Sequence, residues 1–150
     1  MLTFIQPSKQ LKSLSFAMLF GLSTASLAAD NLKPYVLAHQ SAGDLASKVT
    51  ETKTKLTAQG FEIVGQYSPY AGAEIIIVTN DEAKTLAGQS KFGGYGAAQR
   101  VALTDVDGQI QVSYTHPEWM ANVYRMKSSM QNVSDDLSAA LGAEKTFGSE

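Results

Sequence analysis

A chain of 150 residues with 12 basic and 14 acidic side chains, a formal charge of −2 and no cysteine is sized for one domain. It has no basic surplus for nucleic acid or anionic lipid, no thiol for nucleophilic or thiolate-metal chemistry, and no disulfide framework.

Lys9 and Lys12 precede an apolar run from Leu14 to Leu22, and the small residues Ser23-Thr24-Ala25-Ser26-Leu27-Ala28-Ala29 follow. A basic start, a short apolar stretch and a small-x-small site predict a secretory signal peptide over 1–28, cleaved after Ala28 or one residue on. The apolar run is shorter than the roughly 20 residues a bilayer requires. No cysteine follows for lipid attachment, so the expected destination is the periplasm, with no stable membrane anchor. Cleavage removes two lysines and no acid, leaving 10 basic against 14 acidic residues, a formal charge of −4. With no cysteine, stability after export must come from the core alone, and about 120 residues suffice for one.

After a lead-in over 29–34, Tyr35-Val36-Leu37-Ala38-His39-Gln40 reads as a strand. Ser41, with Asp44 three residues on, is a variant capping box for a helix in which Leu45, Val49, Thr52 and Leu56 recur at helical spacing. Glu51 and Lys55 support that helix as a pair four apart, and Gly60 ends it. Residues 61–67 form a second strand and 68–73 a loop. Glu74-Ile75-Ile76-Ile77-Val78-Thr79 is a third strand, apolar on both faces. Something should cover its second side, and Ile76 and Val78 are the expected homodimer contacts. Asn80-Asp81 caps a short helix reaching Ala87, and 88–96 is the least structured stretch.

Residues 99–119, QRVALTDVDGQIQVSYTHPEW, organise the rest. Val101 and Leu103, then Ile110, Val112 and Tyr114, alternate with polar or small neighbours, and Asp107-Gly108 supplies a tight reversal. This is a half-buried hairpin. Pro117 then opens a helix carrying Glu118 and Trp119, which Ser128-Ser129 interrupts. Val133, Leu137, Ala140 and Leu141 mark a last helix, with Ser134 as cap and Gly142 as stop, and 143–150 reads as a flexible tail. The reading is a single domain over 35–142: an α+β two-layer sandwich of order β-α-β-β-(α)-β-β-α, mostly antiparallel, with helices on one face.

Two stretches are similar to a known family. Lys55-Leu56-Thr57-Ala58-Gln59-Gly60-Phe61-Glu62-Ile63 resembles the end of the first helix in the domain-of-unknown-function family 302. Residues 101–117, VALTDVDGQIQVSYTHP, resemble that family's acidic-glycine hairpin, its strand ending in Val-Ser-Tyr and its proline-capped helix. The similarity covers about 35–124. It implies a small β-α-β-β-β-β-α fold, often dimeric, and no established activity. His116 stands where the family tends to carry aspartate, and Gly93-Gly94-Tyr95-Gly96 replaces its usual Leu-Pro segment.

No catalytic constellation appears: there is no G-x-S-x-G elbow, and His39 and His116 lack any metal-ligating spacing. No cofactor and no metal are expected. Asp105 and Asp107 lack the closing glutamate of a calcium loop, and the glycine-rich 93–96 precedes a strand instead of opening a helix, the wrong context for a phosphate cradle. Tyr95, Arg100, His116 and Trp119 are the candidate ligand-binding set: rings and one cation able to line a small-molecule pocket, or equally core edges with polar tips. Two functions stay open. One is a non-enzymatic binding or protein-interaction module, homodimeric. The other is a small-molecule-binding protein or enzyme with a pocket between the sheet and the 68–96 loop.

Overall fold

The computed structural model describes residues 32–149, so the expected leader over 1–28 lies outside the described residues. No helix among the described residues is long and apolar enough to cross a membrane. Along the chain run β1 (Tyr35–Ala42), α1 (Leu45–Ala58), β2 (Glu62–Tyr67), β3 (Ala73–Thr79), α2 (Asp81–Gly88), a 3-10 turn (Gly93–Gly96), β4 (Gln99–Val106), β5 (Gln109–Thr115), α3 (Pro117–Val123), α4 (Gln131–Leu141) and β6 (Lys145–Phe147). The strands form one sheet of order β2-β3-β4-β5-β1-β6, every neighbouring pair antiparallel. This is the expected α+β sandwich.

The β4–β5 hairpin lies at the centre. Asp107 and Gly108 both have positive φ, 53° and 79°, which matches the turn's twist to that of the strands. Asp105 Oδ1 accepts the Gly108 N–H at 2.9 Å. Pairing of Val101 with Tyr114 and Leu103 with Val112 gathers the large side chains on one face. There they form a single core with Val49 and Leu56 of α1, Ala83 of α2, Ala121 of α3, and Val133, Leu137 and Leu141 of α4. All four helices therefore serve the same side of the sheet.

Three boundaries differ from the sequence reading. Strand β1 continues through Ser41, which pairs with Ile110, so the cap of α1 falls to Asp44. Its Oδ2 accepts the Ser47 N–H at 2.9 Å, and this bond holds the carboxyl below the usual carboxylate range. Helix α4 starts at Gln131, not after Ser134, because the Ser129 hydroxyl takes the Gln131 N–H at 3.0 Å and the buried Met130 precedes it. The stretch expected as a flexible tail contains a strand. Glu144 N donates to Leu37 O at 2.8 Å, and Lys145–Phe147 pairs with β1.

Return of the chain to the sheet is fixed by the end of α4. Gly142, at φ 96°, passes so close to β1 that a Cβ would sit 3.0 Å from Ala38 O. His39 Nδ1 donates to Leu141 O at 3.0 Å and the Tyr114 hydroxyl donates to Gly142 O at 3.2 Å. Two sheet side chains thus satisfy carbonyls that a helix end leaves open. Burial pushes the Tyr114 phenol up to about 12, against a smaller opposing hydrogen bond from Ser138.

A raised phenol pKa stabilises the fold in full below pH 10 and loses that contribution as pH climbs towards 12. The loss from this group amounts to about 2–3 kcal/mol. Denaturant unfolding at pH 8 and pH 11.5 should show the fall in the parent and a smaller fall in Tyr114→Phe, which gives up about 1 kcal/mol at pH 8 with its hydrogen bond.

A depression on the open face of the sheet

Alternation along the strands places a second set of side chains on the face away from the core. Across the sheet, Tyr67 pairs with Ile75, Ile75 with Ala102, Ala102 with Ser113, and Ser113 with Leu37. One step along, Gly65 pairs with Ile77 and Ile77 with Arg100, while Thr115 pairs with Tyr35 and Tyr35 with Phe147. The middle of the first row is small, Ala102 and Ser113, whereas its surroundings are large. A depression of about 250 Å³ follows directly, walled by Ile75, Tyr35 and Phe147 with Arg100 at its edge. The Tyr35 and Phe147 rings meet at 5.5 Å between centroids and form one end of it.

Electrostatically the depression carries a single charge, the Arg100 guanidinium, and no carboxylate lines it. Arg100 makes no ion pair among the described residues. An apolar floor with the Ser113 hydroxyl and one cation that has no ion pair among the described residues suits an anion with an apolar body. No group of three or more His, Asp or Glu among the described residues could hold a metal ion.

The candidates named from sequence do not converge. Arg100 lines this depression. Tyr95 is 69% exposed and lies in a different one with Phe92, Val123, Tyr124 and Arg125. His116 stands at the N-cap of α3 without a side-chain cap bond; its Nδ1 donates to Lys33 O at 3.0 Å and its backbone N to Pro34 O at 2.8 Å, tying down the lead-in. Trp119 is half-buried on α3 and lines neither depression. Ile76 and Val78, expected at an interface, are both 0% exposed and belong to the core beneath the helices. Their pairing with Val101 and Gln99 turns them inward, so Ile75 and Ile77 face the open side instead. Tyr35 and Phe147 were not singled out by sequence. Phe147 could be found only by knowing that the last residues return to β1.

No family model matches the sequence, and no curated protein is similar to it. Among solved structures, the fold is similar to that of an uncharacterized conserved protein, DUF302, from Bacillus stearothermophilus, with a TM-score of 0.61 and 13% identity. The match covers 69% of this chain and 92% of that one. It establishes the fold that the family resemblance of residues 35–124 implies.

Beside Arg100 sits the buried Gln99, which the sequence reading passed over. Its Nε2 donates to Gly96 O at 3.0 Å and its Oε1 accepts from the Thr115 hydroxyl at 2.8 Å, which in turn accepts the Arg100 N–H at 3.2 Å. Thr79 adds a bond from its hydroxyl to Ala97 O at 2.6 Å. The network ties the chain before β4 to the ends of β3 and β5. Gln99→Leu, although more apolar, leaves buried partners unmatched and should destabilise by about 1–3 kcal/mol. Chemical denaturation measures it, and a neutral or stabilising result would remove the network's role.

Proposed function

We propose that this chain is an exported, non-enzymatic binding module that works as a homodimer, with the open face of its sheet as the shared surface. The supporting observation is the position of Ile75, Ile77 and Ala102. They occupy the middle of the sheet on the side that no helix among the described residues covers, flanked by the exposed rings of Tyr67, Tyr35 and Phe147. A contiguous apolar patch of this kind marks an interaction surface in a soluble protein. Two such faces can stack at about 10 Å and exclude water from both. A self-complementary patch closes with twofold symmetry and leaves no further copy to recruit.

The depression at Arg100 favours a second reading on the same face: a carrier of a small anion with an apolar body. The two are separable in solution. By sedimentation equilibrium the purified protein, its N-terminus checked for processing to Ala29, should be a dimer. Ile75→Glu should be a folded monomer, because the new charge stands on the open face. Val78→Glu, by contrast, should fail to fold, since it buries an unpaired carboxylate in the core. A parent protein that is monomeric at high micromolar concentration overturns the dimer. Binding of phenylacetate by that monomer, lost in Arg100→Gln, would establish the carrier in its place.

A further inference from the structure

Helix α3 ends in a Schellman closure, with Met126 N donating to Ala121 O at 2.8 Å and Arg125 N to Asn122 O at 3.1 Å. The residue at its turn is Arg125, with φ 51°. Glycine is the usual occupant there, because any Cβ is strained in the left-handed region. The Arg125 side chain makes no ion pair among the described residues. It separates two depressions. One, of about 270 Å³, is lined by Phe92, Tyr95, Val123 and Tyr124; the other, of about 280 Å³, is polar and includes Lys127, Ser128, Ser129 and the Glu118 carboxylate, which accepts the Ser129 hydroxyl at 2.9 Å.

Of the rings beside Arg125, Tyr95 is exposed and Tyr124 half-buried. Tyr95 stands on the 3-10 turn, its ring centroid 5.5 Å from that of Tyr124. At Gly93 a Cβ would lie 2.2 Å from Ala87 O, and at Gly96 it would lie 3.0 Å from Met126 Sδ. The turn is therefore seated between α2 and the chain leaving α3, and at Gly93 only glycine permits the approach to the α2 backbone. Lys91 Nζ lies 5.3 Å from the centre of the Phe92 ring, which lines the same depression. The one ring on this turn, Tyr95, stands outside the core, and a strained position is occupied by the one side chain that can grip a carboxylate through two parallel hydrogen bonds.

We infer that Tyr95, Tyr124 and Arg125 form a ligand site for a carboxylate on a six-membered ring with one apolar face, that face lying on the tyrosines and the carboxylate on the guanidinium. Aromatic carboxylates and uronic-acid sugars share this chemistry. The site lies apart from the open face of the sheet and stands whether or not the protein dimerises there.

Amide chemical-shift mapping on the 15N-labelled purified protein tests it, with 4-hydroxybenzoate and digalacturonate as probes and phenol and galactobiose as their uncharged counterparts. One of the two anions should move signals confined to 92–95 and 123–126, and its counterpart should bind at least about tenfold more weakly. Which anion does so identifies the source of the ring. Tyr95→Ala and Arg125→Asn should each weaken binding by about tenfold or more. Arg125→Asn should also keep or raise the unfolding midpoint, because asparagine tolerates the left-handed turn. Absence of localised shifts with either anion overturns the site. So does mapping of the shifts to Ala102 and Ser113, equal binding of the uncharged counterpart, or undiminished binding by Arg125→Asn.

Discussion

The whole structure depends on the inward row of the β4–β5 hairpin being buried under helices from both ends of the chain. Val101, Leu103, Ile110 and Val112 are fully buried, and Tyr114 nearly so. At about 25 cal/mol per Å² of apolar area, such side chains supply much of the stability a domain without disulfides can have. The helices that cover them arrive by different routes. Helix α1 crosses from β1, next to β5, to β2 at the far edge, and so passes over three strands. Helix α4 descends beside it and ends over β1. Since the inward row needs all of this cover, nothing in the described chain is left for the opposite face.

The end of α4 then decides how the sheet finishes. Its last carbonyls are held by His39 and Tyr114, one from β1 and one from β5. Gly142 turns the chain in a conformation few other residues adopt. From there Lys145–Phe147 can only run along β1, whose outer edge would otherwise present unpaired backbone groups. The short strand both closes that edge and delivers Phe147 to Tyr35, which makes one wall of the depression. The wall on the open face is thus a consequence of how a helix on the other face is tied off.

Much of this was legible in the sequence because burial of one sheet face imposes a period of two, and burial of a helix face a period near 3.6. The hairpin, its Asp107-Gly108 turn and α1 follow from those periods. What failed was whatever depended on pairing between distant strands. In Ile75-Ile76-Ile77-Val78 every position is apolar, so periodicity cannot say which face is inward; the register against Gln99 and Val101 decides it. Ser41 and Ser134 are good caps by type, but β1 ran longer and α4 began earlier than local signals indicated. Separation of Tyr95 from Arg100 was likewise beyond a linear reading. They are five residues apart, yet the 3-10 turn and the start of β4 send them to different surfaces.

Unequal side-chain size across the hairpin links these observations. The inward positions of β4 and β5 are bulky because they must fill a core at close packing. The outward positions Ala102 and Ser113 have no such duty, and a valine at both would be favoured by strand propensity alone. Two valines there would level the floor between Ile75 and Tyr35 and leave a flat apolar sheet. Keeping small residues in the most central pair therefore gives up strand propensity and preserves a concavity beside a cation that no carboxylate among the described residues neutralises. Arg125 shows the same economy at a separate depression, where a left-handed turn suited to glycine instead carries a guanidinium. In both places the residue present is less favourable for folding than an obvious substitute, and in both it leaves a charge beside exposed rings.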